Sequence, residues 1–434
     1  MNMSNKSYNE RAHRYIPGGA HTYSRGDDQY PANAPSVLTK GEGAYVWDAE
    51  GNKYLDYGMA LRAVTMGYGY RRISEAAINQ IRLGNSFTRP SAIEVDTAEK
   101  LVNLIDGMDM VKFAKNGSTV TTAATKLARH YTGKKYIARC LEHPFFSYDD
   151  WFIGDTEVSS GVPDEVKSLT LNFSFNNIAS LQNLFDNYAH EIACVILEPA
   201  TYMEPDEGFL HGVKSICKKY GAVFILDEMI TGFRWDIKGA QKFYGVEPDL
   251  CTFGKGMANG FSMAALMGKK ELMELGGIYH EKERIFLIST TNGAEMSSLG
   301  ALNETIDVYK ELDVTKHFWQ YGKRLCEGIN NISKDMGLLD YLRVDGVYVN
   351  PLIVTNDKQK KSSLDYKTLF MQEMIKQGVL MPWIALSHSH GDRELEITLE
   401  AVRASLKIYR NALDGNISDF LLGPSVKPVF RKYN

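Results

Sequence analysis

A lysine bracketed by glycines is the first feature of this chain that can do covalent chemistry. In Thr252-Phe253-Gly254-Lys255-Gly256-Met257-Ala258-Asn259-Gly260 the lysine follows an apolar run, Asp249 to Phe253. Glycine on either side lets a ligand approach the backbone closely. A partly desolvated lysine can lose its proton and condense with a carbonyl to a Schiff base. The loop is not a phosphate-binding GxxxxGK[ST] motif, and its glycine spacing does not match a dinucleotide fingerprint. A second group is Asp227, at the end of the apolar run Val223-Phe224-Ile225-Leu226 and followed by Glu228-Met229-Ile230-Thr231-Gly232-Phe233-Arg234. A carboxylate at the C-terminal end of a buried strand stands where open α/β sheets place ligands. It suits a protonated ring nitrogen as counter-ion, and equally an acidic cap on the next helix.

Two hydroxyl-rich segments complete the set. Phe113-Ala114-Lys115-Asn116-Gly117-Ser118-Thr119 leads into a helical stretch, so strand, glycine turn and helix N-terminus form an anion site or a plain N-cap. Ser289-Thr290-Thr291-Asn292-Gly293 offers further hydroxyls. His388-Ser389-His390 lacks a third ligand placed by the sequence, and no metal is expected there.

These residues need a scaffold that brings them together. Val111–Ala114, Tyr136–Cys140, Ala193–Leu197 and Ala222–Leu226 read as strands. Helices over 121–130 and 212–219 lie between them, with Gly133 ending the first and Gly221 preceding a strand. Unalternating buried runs separated by helices predict an α/β fold with a mostly parallel sheet covered on both faces. Ahead of them, Ala44–Asp48 and Lys53–Tyr57 around a glycine turn predict a β-hairpin. The first 35 residues read as an irregular arm. Helix-rich segments, 314–332 and 364–377, predict a separate C-terminal part. The expected division is 1–65, arm and hairpin contributing to a small domain; 66–312, a large domain; and 313–434, the rest of the small domain.

Composition bounds the rest. The 434 residues carry 49 Lys+Arg against 53 Asp+Glu, a net charge of −4, which argues against a broad electrostatic footprint for nucleic acid. With 24 Tyr, 19 Phe and 5 Trp the chain has ample apolar surface for a core. Five widely spaced cysteines without a CxxC pair suit a reducing compartment. No apolar signal region opens the chain and no run is long enough to span a bilayer. The expectation is a soluble cytoplasmic protein.

Taken together, phosphate cradle, ring-nitrogen counter-ion and Schiff-base lysine are what pyridoxal 5′-phosphate requires. On the D-E-x-x-T-G-F-R element at 227–234 and the F-G-K-x-x-x-x-G element at 253–260, the chain resembles the class III aminotransferases. Within them it is most similar to the glutamate-1-semialdehyde aminomutase-like branch, from Pro17-Gly18-Gly19 to about Arg403. The resemblance implies a fold-type I transferase and a homodimer with active sites at the interface. It implies Lys255 as the Schiff-base lysine and Asp227 on the pyridine nitrogen. Gly117, Ser118 and Thr119 would lie at the phosphate, and Thr290, with Thr291 as register alternative, would reach the neighbouring subunit's cofactor. Arg25 falls where such proteins place an arginine near the substrate carboxylate, and Thr22 where they have a serine.

Several positions depart from the family pattern. Lys115-Asn116-Gly117-Ser118-Thr119 replaces N-S-G-T-E, and Met203 stands where a polar residue often faces the cofactor's phenolic oxygen. Phe145 or Phe146 replaces the ring-stacking tyrosine. Leu61-Arg62 replaces W-G, which makes Arg62 a further anion contact at the substrate mouth. The implied reaction is amino transfer between an amino acid and an aldehyde or keto compound. The alternatives are an intramolecular aminomutase, a racemase or epimerase, and a non-catalytic relative.

Overall fold

The computed structural model describes residues 4–188 and 190–433, and a helix stands where an irregular arm was expected. Asn5–Tyr15 is N-capped by Ser4, whose hydroxyl accepts from Ser7 N, and buries none of its residues. Without an apolar stripe there is no periodicity to detect. Polar contacts hold it instead, Asn5 Nδ2 to Asp48 Oδ2 at 3.0 Å and Asn9 Nδ2 to Asp27 Oδ2 at 2.6 Å.

The expected hairpin follows. Strand β1 (Leu38–Glu42) pairs with β2 (Tyr45–Asp48), and β2 with β3 (Lys53–Asp56), all antiparallel. Beyond β3, four consecutive residues are left-handed: Met59, Ala60, Leu61 and Arg62, with φ from 41° to 70°. Each such L-residue costs about 1–2 kcal/mol, so the turn needs outside support. Asp56, buried, accepts from Gly58 N at 2.7 Å and Met59 N at 3.0 Å. Tyr68 OH donates to Asp56 Oδ2 at 2.7 Å and accepts from Ala60 N at 3.0 Å.

The middle of the chain builds a seven-stranded sheet from β4 (Met110–Ala114), β5 (Tyr136–Cys140), β6 (Thr170–Phe173), β7 (Ile192–Leu197), β8 (Val223–Asp227), β9 (Leu250–Phe253) and β10 (Ala264–Gly268), in the order β4-β10-β9-β8-β7-β5-β6. The pairings from β6 through β5, β7 and β8 to β9 are parallel. Strand β10 runs against both β9 and β4, so β4, β8 and β9 all point the same way and their C-terminal ends share one end of the sheet. Every residue of β7, β8 and β9 is buried, as a parallel sheet requires. One face packs Val195, Leu197, Phe224 and Leu226 against Leu181, Phe185, Phe209 and Val213 of the helices Ile178–Tyr188 and Phe209–Tyr220. The helix Gly117–Thr132 packs against β4 and β7 to β10 and ends at Gly133, φ 69°.

The remaining strands are β11 (Leu342–Asp345), paired with β12 (Leu352–Thr355), and β13 (Val379–Leu380), parallel to β3. Long helices occupy Val314–Asp335, Leu364–Lys376 and Asp392–Asp414. The chain divides into two compact units, one combining the segment up to Tyr70 with Lys316–Arg431, the other centred on Arg71–Thr315. Among the described residues no helix is long and apolar enough to cross a membrane.

Candidate active site

Asp227 closes β8 and is 2% exposed. Its register partner on β9 is Thr252, whose hydroxyl donates to Asp227 Oδ1 at 2.9 Å. Met229 N donates to the same oxygen at 3.0 Å, so neither bond uses Oδ2. Burial pushes the carboxyl up to about 6, against the Lys255 ammonium and these hydrogen bonds, which pull it down. The site therefore holds a desolvated carboxylate that a further cation would stabilise. Its neighbour Glu228 is spent structurally. It accepts from Ala240 N at 2.9 Å, Gln241 N at 2.7 Å and the Thr231 hydroxyl, and burial lifts it to about 7.

Lys255 opens a short 3-10 turn, Lys255–Ala258, just past β9, and its φ is 40°. Left-handed backbone at a lysine is strained and marks functional loops. The preceding glycine has a steric reason: a Cβ at Gly254 would lie 2.2 Å from Met229 Sδ. A Cβ at Gly117 would lie 3.0 Å from Met229 Cε. Met229 thus fills the space between the lysine loop and the hydroxyl-rich loop. Neither Met229 nor Thr252 stood out as functional in the sequence, although both lie inside the motifs quoted. Only strand register reveals Thr252's partner.

The helix Gly117–Thr132 begins at the same end of the sheet. Asn116 caps it, its Oδ1 accepting from Thr119 N at 2.9 Å and Thr119 Oγ1 at 3.1 Å. Thr119 is thereby committed to the cap, and Gly117 and Ser118 supply the first-turn N–H groups that the cap does not use. Ser118 is buried and its hydroxyl accepts from Tyr148 N at 3.1 Å. Lys115 Nζ reaches Glu295 Oε1 at 2.9 Å and Ser298 Oγ at 3.0 Å, tying this loop to the start of the helix Met296–Leu312.

Phe145 and Phe146 part company. Phe146 is 2% exposed, packed near Trp151 and Phe152, and is core. Phe145 is 47% exposed and meets the Phe152 ring edge-on, with centroids 5.6 Å apart. Thr290 and Thr291 are exposed in the same stretch as the exposed Ile278, Tyr279 and Phe286.

Arg25, Thr22 and Arg62 belong to the other unit. Arg25, exposed, lines a cavity of about 980 Å³ with Tyr30, Asp56, Tyr68 and Trp383. Burial pushes the Tyr30 phenol up to about 12, with the Arg25 charge opposing. Thr22, partly exposed, precedes the short turn Tyr23–Arg25. Arg62 Nε donates to Asn350 Oδ1 at 3.1 Å and its guanidinium lies 5.5 Å from the Trp383 ring centroid. His390 has both ring nitrogens on backbone, Nδ1 accepting from Ser387 N and Nε2 facing Asp56 O, and it stacks on Tyr57. No grouping of His, Cys, Asp and Glu able to hold a metal occurs among the described residues.

A strand-end carboxylate, a lysine turn and a capped helix start thus lie at one end of the seven-stranded sheet. Comparison with known proteins gives the family. The profile of aminotransferase class III matches residues 27–385, and the chain belongs to that family of pyridoxal-phosphate enzymes, with their fold-type I architecture. It is 30% identical over 425 residues to a glutamate-1-semialdehyde 2,1-aminomutase from Persephonella marina, covering 92% of this chain and 97% of that one. Among solved structures, the pyridoxal-phosphate internal aldimine form of the Sphingopyxis sp. MTA144 FumI protein superposes with a TM-score of 0.85 at 26% identity, covering 95% of this chain and 97% of that one. A glutamate-1-semialdehyde aminomutase from Pseudomonas aeruginosa PAO1 matches in fold, with a TM-score of 0.80 at 17% identity over 93% and 94% of the two chains.

Proposed function

We propose that the chain is an aminotransferase that moves an amino group between an amino acid and an aldehyde or keto compound, with pyridoxal 5′-phosphate held at the Lys255–Asp227 site. The observation that carries the assignment is Asp227, desolvated and hydrogen-bonded on Oδ1 beside the Lys255 charge. Bound there, the cofactor supplies an electron sink for carbanion chemistry at the substrate Cα. Lys255 Nζ would be the amine that holds its carbonyl carbon and the base that moves the substrate's Cα proton. Asp227 keeps the proton on the ring nitrogen. The N–H groups of Gly117 and Ser118 hold the phosphate at the start of their helix, with Thr119 serving through the cap. Met229 excludes water between the two loops, and Phe145 supplies the stacking face. Arg25 is assigned to a substrate carboxylate, with Thr22 beside it and Arg62 at the mouth.

We further propose a homodimer in which Thr290, or Thr291 in the alternative register, reaches the partner's cofactor phosphate. The exposed apolar side chains of the same stretch favour such contact. Neither nucleic acid nor membrane is a partner in this reading, and the cytoplasm is the proposed compartment, on the charge balance and cysteine usage. The 30% identical relative favours the aminomutase as second reading. Loaded protein mixed singly with a panel of amino acids separates the two. Bleaching of the cofactor colour with one equivalent of keto acid establishes amino transfer and names the donor. Unchanged colour with every amino acid rejects it and turns the search to aminocarbonyl substrates.

A further inference from the structure

Thr252 has no place in the chemistry above, yet it is completely buried and aimed at the group that does. Its side chain is 0% exposed. Its backbone is held twice, by the β8–β9 register that sets it opposite Asp227 and by Glu228 N donating to its carbonyl at 2.9 Å. A buried hydroxyl has one proton to give, and here it goes to Asp227 Oδ1 at 2.9 Å. Met229 N shares that oxygen at 3.0 Å.

We propose that Thr252 is a positioning residue for Asp227: with Met229 N–H it holds Oδ1 and so reserves Oδ2 for the cofactor's ring nitrogen. This rests on the assignment of Asp227 to that nitrogen. The physical reason is twofold. Two donors on one oxygen fix the carboxylate's rotation, which a single backbone N–H does not. Donors to the ionised form also lower a carboxylate's proton affinity, so that the proton stays on the ring nitrogen rather than returning to Asp227. Desolvation works against this, and removing one donor strengthens the carboxylate as a competitor for the proton. Valine matches threonine in shape but lacks the hydroxyl, whereas serine keeps it.

The test uses the full-length protein stripped of cofactor, as wild type, Thr252→Val, Thr252→Ser and Asp227→Asn, with melting temperatures confirming that each folds. Dissociation constants are measured by fluorescence quenching for pyridoxal 5′-phosphate and for its 1-deaza analogue, in which carbon replaces the ring nitrogen. Thr252→Val is expected to weaken the natural cofactor about tenfold, the scale of one hydrogen bond to a charged group, and to leave the deaza analogue unchanged. Thr252→Ser is expected to bind both as wild type does. Equal weakening of both ligands by Thr252→Val assigns the residue to packing and overturns the proposal. So does a wild-type preference for the natural cofactor in Thr252→Val when Asp227→Asn has lost that preference. If Asp227→Asn itself keeps the preference, the assignment of Asp227 fails, and the proposal fails with it.

Discussion

At the scale of single residues the two charges of the site depend on each other, because Asp227 is ionised in a place that disfavours charge and Lys255 is part of what offsets this. Replacing Lys255 with alanine should remove the covalent link, and turnover should fall by about 10²–10⁴-fold from loss of the base alone. Borohydride trapping and mass spectrometry check it: the wild type should carry the reduced cofactor on Lys255, and an adduct retained in the variant would discard the assignment. A second expectation concerns pH. Asp227 and Glu228 ordinarily titrate at 3.8 and 4.5 and are raised by burial to about 6 and about 7. The folded cofactor-free protein then binds more protons than the unfolded chain across that interval. The contribution of these acids to its stability is fullest below about 4 and is lost as pH rises through 6 and 7, while the buried His143 and His390, lowered to about 3 and about 4, contribute in the opposite sense. Between pH 4.5 and 8 the denaturant midpoint of the stripped wild type should fall relative to that of Asp227→Asn. Parallel pH curves for the two proteins would contradict the burial of Asp227.

The elements place these residues, and they differ in how readily they show in the sequence. Strands β7 and β8 are unalternating apolar runs because both of their faces are covered, so they were legible, as were β4 and β5, whereas β9 showed only as an apolar run. The reversal of β10 was not, since a strand's direction is set by where the chain returns and leaves no local trace. The register that pairs Thr252 with Asp227 was hidden for the same reason. The first helix was missed because it buries nothing. The cap at Asn116 is local and testable: Asn116→Ala should cost about 1 kcal/mol, and the freed Thr119 N–H should alter phosphate affinity, read by calorimetry with inorganic phosphate. Close approach makes another demand. A Cβ at Gly322, within Val314–Asp335, would lie 2.0 Å from the backbone oxygen of Tyr348. Backbone cannot swing aside as a side chain can, so Gly322→Ala should destabilise by about 1–3 kcal/mol, visible as a lower denaturant midpoint. An unchanged midpoint would mean that the two segments separate easily.

At the scale of the whole molecule, the two ends of the chain fasten one another. Lys427 N donates to Asp28 O at 2.9 Å, Gln29 Nε2 donates to Lys427 O at 3.0 Å across 398 positions of sequence, and Arg431 pairs with Asp28 at 2.6 Å. These contacts flank Arg25. Ending the chain after Gly423 should therefore release the segment around residues 22–35, seen as faster proteolytic cleavage there, while the seven-stranded core stays protected. Cleavage at the wild-type rate would show that the arm is held by its own helix.

What could be read without coordinates was chemistry and local habit. A lysine between glycines, an acid at the end of an apolar run and hydroxyls ahead of a helix are written in adjacent letters, because the glycine, the cap and the buried strand each act within a few residues. What needed the folded chain was every relation between distant letters. Folding set Thr252 on Asp227, placed Met229 between Gly117 and Gly254, and buried Phe146 while leaving Phe145 exposed. Hydrogen bonds and van der Waals contacts act over a few ångströms, and which residues come within that reach depends on strand order, register and helix packing, none of which is a property of any short stretch of sequence.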